Sequence, residues 1–344
     1  YGGGENGLVE GRTTVNLSSG TVEKDLYGGA YGKTGERLVL GGSVVNMTGG
    51  WVKGNLYGGS ELSNDGPEKV EDAAADDLVF VNLVGGTVDG RVFGGGFSGV
   101  ANGSTHLHIG KDALAECKYY QAHEDEMPKL TAFPLSIVGS VYAGGDYGGE
   151  GVLDYNKITV TGTSHVYIDG TDYNTGTSSQ NSEPTMELKG GVFGSGASCD
   201  AGSTRLVTLK NYGQAIKGDD GTVIGTTRSL TAIQRADRVL LDNAHVTLTG
   251  ESDVANANQT ALYSLNNIGN YTESQTIDGG NGLVLQSGST LALDAAAIEL
   301  AQFKSIDQGG KEVALGALSA SPNTLLFDTG TVFRVSYTPL TRTE

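Results

Sequence analysis

Val45-Asn-Met-Thr-Gly-Gly-Trp-Val-Lys-Gly-Asn-Leu-Tyr57-Gly-Gly is the stretch on which the fold turns, because the chain contains it three times without a gap. The other copies are Val15-Asn-Leu-Ser-Ser-Gly-Thr-Val-Glu-Lys-Asp-Leu-Tyr27-Gly-Gly and Val81-Asn-Leu-Val-Gly-Gly-Thr-Val-Asp-Gly-Arg-Val-Phe93-Gly-Gly. Its second half returns as Ile137-Val-Gly-Ser-Val-Tyr142 and Leu188-Lys-Gly-Gly-Val-Phe193-Gly, and Tyr1-Gly-Gly supplies a sixth aromatic ending. These endings lie 26, 30, 36, 49 and 51 residues apart, so a constant unit carries inserts of unequal length. Such self-similarity is the signature of a stacked repeat.

Each unit reads as two short strands joined by a glycine corner. Alternation places Val22, Lys24 and Leu26 on one face, with Val52, Gly54 and Leu56 and then Val88, Gly90 and Val92 in the same positions. Lys24 is the misfit, since its parity points inward. On the opposite face, stacking in register puts Glu23 on Lys53 and Lys53 on Asp89, unlike charges that support the register. Asn16, Asn46 and Asn82 form a second column able to bond amide to amide. Tyr27, Tyr57, Phe93, Tyr142 and Phe193 are expected to pile into an aromatic ladder beside the corners. The predicted fold is all-β: a single-stranded parallel β-helix solenoid, right-handed, with irregular loop insertions.

Glycine accounts for 55 of 344 residues, 40 of them before residue 201 and 15 after it. The division suggests Gly-rich coils over 1–200 and divergent coils over 201–344 that continue the same solenoid, with a separate second domain as the alternative. A helical turn capped by Asp294 is expected over Ala295 to Lys304. The chain opens on Tyr1-Gly-Gly-Gly, the end of a repeat whose beginning is missing, so it is expected to be part of a longer chain.

Charge excludes whole classes of partner. Twenty-two basic residues stand against 40 acidic ones, a net charge of -18, and no basic stripe is present to bind nucleic acid. No apolar run reaches the length of a membrane span. Sequence alone leaves Cys117 and Cys199, the only cysteines, either bridged or reduced.

Function is expected in the inserts Ser60 to Asp77, Lys111 to Phe133 and Asp169 to Pro184, since loops on a rigid scaffold carry binding. The acidic residues Glu68, Glu71, Asp72, Asp76 and Asp77 lack the ligand spacing of a calcium loop, and Gly218-Asp-Asp-Gly221 reads as a turn. In His123-Glu-Asp-Glu-Met127, methionine occupies the place where a zinc hydrolase needs a second histidine. His106 and His108 share a strand face without an evident third ligand, so no metal and no cofactor is assigned. Neither a nucleophile elbow nor a phosphate-binding loop occurs, and no catalytic residue is named. Trp51, Tyr119 and Tyr120 are the expected binding residues, as exposed aromatics that stack on sugars or anchor interfaces.

At the level of the Gly-Gly-x-Val-x-Gly-x-Val-Tyr-Gly-Gly unit, the chain resembles the adhesin-like β-helix repeats of very large surface proteins from gut anaerobic bacteria, and more loosely autotransporter passengers. The resemblance covers residues 1–200 well and the remainder weakly, and concerns scaffold residues only. It implies export and display at the cell surface, with a host glycoprotein, glycan or immunoglobulin as partner. The rival expectation is a glycan-active enzyme, a lyase or hydrolase, which needs paired carboxylates such as Glu23 and Asp89 two units apart.

Overall fold

The structure is a computed structural model. It describes residues 1–68, 78–148, 157–176, 183–197, 199–201, 204–249, 265–268 and 282–293, with strand backbone at 304–306, 312–314, 325–327 and 332–335. It is an all-β molecule built mainly from parallel sheets, with one short α-helix among the described residues. The largest sheet takes one strand from each successive segment: Thr13–Leu17, Ser43–Val52, Val79–Val88, Thr105–Ile109, Thr163–Asp169, Thr204–Lys210, Arg238–Asp242, Gly282–Gln286 and Leu325–Phe327. A second sheet runs alongside through the dipeptides Leu26–Tyr27, Leu56–Tyr57, Val92–Phe93, Val141–Tyr142 and Val192–Phe193 to Ile233–Ala236 and Leu265–Ile268. A third joins Arg228–Leu230, His245–Leu248, Thr290–Leu293 and Val332–Val335. The large sheet passes position 201 unbroken, since Thr204–Lys210 pairs with both Thr163–Asp169 and Arg238–Asp242.

The pairing register is the repeat itself. Val15 faces Val45 and Val45 faces Val81, while Leu56 faces Leu26 and Val92. Inward residues of the sheets, among them Val45, Met47, Leu56, Val81, Leu107, Val141, Val207 and Val246, merge into one apolar cluster. In the central unit the first strand runs on through the glycine corner as ten residues, Ser43–Val52, with a bulge around Thr48, and the second is the dipeptide Leu56–Tyr57. Gly20, Gly50 and Gly86 occupy the same place in three units with φ of 86°, 83° and 99°, a conformation that a Cβ opposes.

The alternation expected from Val22 to Leu26 breaks. Residues 23–25 bend out of strand geometry and Lys24 is exposed, which disposes of its inward parity. After the bend, consecutive residues of each dipeptide are both buried: Leu56 joins the main core, and Tyr57 a separate aromatic cluster on the other side of the sheet. There Tyr1, Tyr27, Tyr57, Phe93, Tyr142 and Phe193 stack with centroid spacings of 5.0, 4.8, 4.6, 5.1 and 4.6 Å, close to the inter-strand distance. The asparagine column also forms, Asn46 Nδ2 donating to Asn16 Oδ1 at 2.9 Å and Asn82 Nδ2 to Asn46 Oδ1 at 2.8 Å.

One recurrent bond ties strand starts to the aromatic endings. Thr13, Ser43, Thr105 and Ser164 donate their hydroxyls to the carbonyls of Gly28, Gly58, Ala143 and Gly194, each the residue after a ladder aromatic. The distances are 2.7, 2.6, 2.7 and 2.6 Å. Arg205 makes a buried cross-link, gripping both carboxylate oxygens of Asp237 and of Asp200 at 3.0–3.1 Å.

The helix expected after Asp294 lies outside the described residues apart from its end, Lys304, which begins the strand Lys304–Ile306. Glu71, Asp72, Asp76 and Asp77 also lie outside them. Gly218 to Gly221 forms the turn of an antiparallel hairpin, Ala215–Lys217 with Val223–Thr226, as read from sequence.

Candidate functional site

Trp51 stands on the large sheet between Thr21 and Thr87 and remains 42% exposed. Its indole N–H donates to Asp89 Oδ2 at 2.8 Å, and Lys53 Nζ lies 5.1 Å from its ring centroid. Lys53 also pairs with Glu23 at 2.7 Å. The expected charge column is therefore half formed: Glu23 takes Lys53, whereas Trp51 takes Asp89, because an indole can reach one unit further along the stack. Ring orientation is thus fixed on a surface that stays open to solvent.

Asp89 also lines a cleft of about 580 Å³ on the same side. Its walls include the carboxylates of Asp25, Glu61 and Asp146, the Arg91 side chain, and the aromatics Tyr27, Tyr57 and Phe97. Asp25 Oδ1 accepts from the backbone N–H of Asn55 at 2.6 Å, and Asn55 Oδ1 from that of Arg91 at 2.8 Å, so outward side chains hold the next unit's backbone. Asp146 is fully buried and pairs with Arg91 at 3.4 Å. Aromatic edges beside carboxylates and a guanidinium match the hydroxyls and apolar faces of a sugar. Asp25, Asn55 and Arg91 hold the same offset in three successive units, and that shared column is the signal in the sequence that they converge.

A second cavity, about 910 Å³, opens beside the hairpin and is bounded by Tyr173, Asn211, Gln214, Lys217, Asn243 and His245. No carboxylate lines it among the described residues. Burial lowers the His245 pKa, with the nearby Lys217 charge acting in the same direction.

The insert after Ile109 behaves differently from the expectation of an exposed aromatic pair. A 3₁₀ turn, Lys111–Glu116, and an α-helix, Lys118–Ala122, fold back over the outer face of the large sheet. Tyr120 is buried at 3% exposure beside Phe80, Leu114 and Cys117, and its hydroxyl accepts from Asn82 Nδ2 at 3.3 Å; it is a packing residue and is withdrawn from the surface. Burial pushes its phenol pKa up to about 12. Tyr119 is half-buried, tilted on Phe80 at 5.1 Å and stacked on His123 at 4.4 Å. Its hydroxyl bonds Glu126 and accepts from Arg12 Nη1 at 3.3 Å. The Arg12 guanidinium lies 5.1 Å from the Phe80 ring centroid and 5.3 Å from that of Tyr119, clamping the insert onto the sheet.

Beneath this flap, His106 and His108 meet a third donor that sequence spacing did not reveal. Cys117, at the junction of the two helical turns, places its sulfur so that it and one nitrogen of each histidine lie within 4.8 Å of one another. His108 is buried, and desolvation, reinforced by His106 and His165, holds its pKa well below the usual histidine range. Neither cysteine is in a disulfide: Cys199 sits in another part of the molecule, 3.4 Å from Thr159 Oγ1, with burial pushing its thiol up to about 12.

No family model, curated protein or solved structure matches the chain.

Proposed function

We propose that the chain is an extracellular, right-handed β-helix segment of an adhesin-like surface protein, serving as a scaffold and as a glycan-binding module. The β-helix reading is supported by the sequential order of strands in three parallel sheets around one apolar cluster. The binding reading rests on one observation: Trp51, still 42% exposed, is oriented by a carboxylate that also lines the aromatic and acidic cleft. A sugar ring set against that indole would present hydroxyls to Asp89 and Arg91. Binding of host glycoproteins follows from the same surface through their glycans. An immunoglobulin partner would instead use Trp51 as a protein-interface anchor.

A glycan-cleaving enzyme is the less supported alternative. The two carboxylates it would draw on, Glu23 and Asp89, are engaged by Lys53 and by Trp51. The test is an array of glycans and host proteins probed with the purified chain and with Trp51→Ala. Glycan signals lost in the variant support the reading, at a cost of roughly 10-fold or more in affinity for a buried aromatic contact. Signals confined to immunoglobulins, or equal in both proteins, would overturn it. Release of reducing ends from any bound glycan would replace it with the enzymatic alternative.

A further inference from the structure

We propose that His106, His108 and Cys117 form a zinc-binding site under the insert that covers the large sheet. The three donors come from two separate pieces of backbone. His106 and His108 project from the outer face of Thr105–Ile109, whose Leu107 and Ile109 belong to the main core. Cys117 comes down from the flap, so one ion would fasten flap to sheet.

Two imidazoles and a thiolate are a donor set suited to a borderline-soft d-block ion. Their 4.8 Å envelope is wider than the roughly 3.3–3.6 Å between ligand atoms implied by tetrahedral bonds of about 2.0–2.1 Å to nitrogen and 2.3 Å to sulfur. Closing it takes small side-chain rotations. Three protein donors leave one tetrahedral position for water or a small exogenous ligand.

The outer shell around His108 is already built. Its Nδ1 lies 2.8 Å from Asn82 Oδ1, an atom that only accepts, so Nδ1 carries the proton and Nε2 keeps its lone pair for a metal. The Asn82 amide nitrogen is turned the other way, donating to Asn46 Oδ1 and to the Tyr120 hydroxyl. Asn46 is aligned in turn by Asn16. The direction of the asparagine column thus selects the histidine tautomer that a metal requires. Phe80 stacks on both imidazoles, at 5.3 Å from His106 and 6.5 Å from His108, so both rings can shift within their own planes without losing the contact.

Binding is balanced by one proton: the Cys117 S–H bond breaks, its sulfur bonds Zn²⁺ and H⁺ is released, leaving a single net positive charge. The flap also carries Asp112, half-buried, and Glu116, Glu124, Asp125 and Glu126, exposed, whose negative charge offsets it at longer range. The inference stands apart from ligand binding at Trp51, and its test does not use a glycan.

The test strips the full chain with a chelator, then titrates it with Zn²⁺ and separately with Co²⁺. One equivalent of zinc is expected, with a thiolate-to-cobalt charge-transfer band in the cobalt protein. Cys117→Ser should abolish the band, and Cys117→Ser and His106→Gln should each weaken zinc binding by about 10- to 100-fold or more, while Cys199→Ser changes neither. X-ray absorption on the wild-type zinc protein should find two nitrogen ligands and one sulfur ligand from the chain, a readout that does not require any variant to fold. No retained zinc, a band that survives Cys117→Ser, or a zinc shell without sulfur would overturn the proposal.

Discussion

Asp65 shows how a single buried carboxylate can shape the behaviour of this fold. It accepts the backbone N–H of Ser60 at 2.8 Å and the Ser60 hydroxyl, holding the chain where it leaves the aromatic ending. Burial nevertheless pushes its carboxyl up to about 6, outweighing those bonds and the Arg37 charge. Between the unfolded value near 4 and the folded one, the native chain keeps a proton that the unfolded chain has released. This residue's contribution to stability therefore falls as pH rises through that window. Asp65→Asn is expected to remove that slope, worth on the order of 1–3 kcal/mol between about pH 4 and pH 7, measured from urea midpoints. A variant whose pH profile parallels the wild type would show that Asp65 titrates normally.

The aromatic stack is the element whose energetics are most exposed to mutation. Phe93 is fully buried between Tyr57 and Tyr142, so Phe93→Ala leaves a gap in the middle of the column. A loss of about 3–5 kcal/mol is expected in denaturant unfolding, with Phe93→Tyr costing less because neighbouring positions already carry tyrosine. This column and the asparagine column were legible in the sequence because each is written several times at one offset. What happens once was not legible. Tyr120 looked like a surface aromatic since nothing in the flap announces that its helix folds over Phe80, and Cys117 offered no spacing that ties it to His106 and His108. Lys24 misled for a different reason: period-two reasoning presumes a continuous strand, and the chain bends at residues 23–25.

Across the whole molecule, cohesion comes from neighbours in the stack, with Arg205 as a cross-link between segments on either side of residue 201. Its guanidinium is 3% exposed and satisfies Asp237 and Asp200 together. Arg205→Ala is expected to cost about 3–5 kcal/mol, since it strands a buried carboxylate, and the loss should appear as a lowered thermal midpoint. A shift near zero would mean that Asp237 takes up a proton or finds water without penalty.

Because consecutive segments are also consecutive neighbours in the large sheet, tension applied between the two chain ends has an ordered route. Units would detach singly, each surrendering its own strand pairings, instead of shearing together. The intervals of 30, 36, 49 and 51 residues between successive aromatic endings then become lengths, on the order of 100 to 170 Å of released chain at about 3.4 Å per residue. Optical-trap extension should record a sawtooth with unequal steps of that size, and one abrupt release of the full contour would contradict it. The unequal inserts would make the molecule a graded shock absorber in which the order of the steps can be read from the order of the repeats.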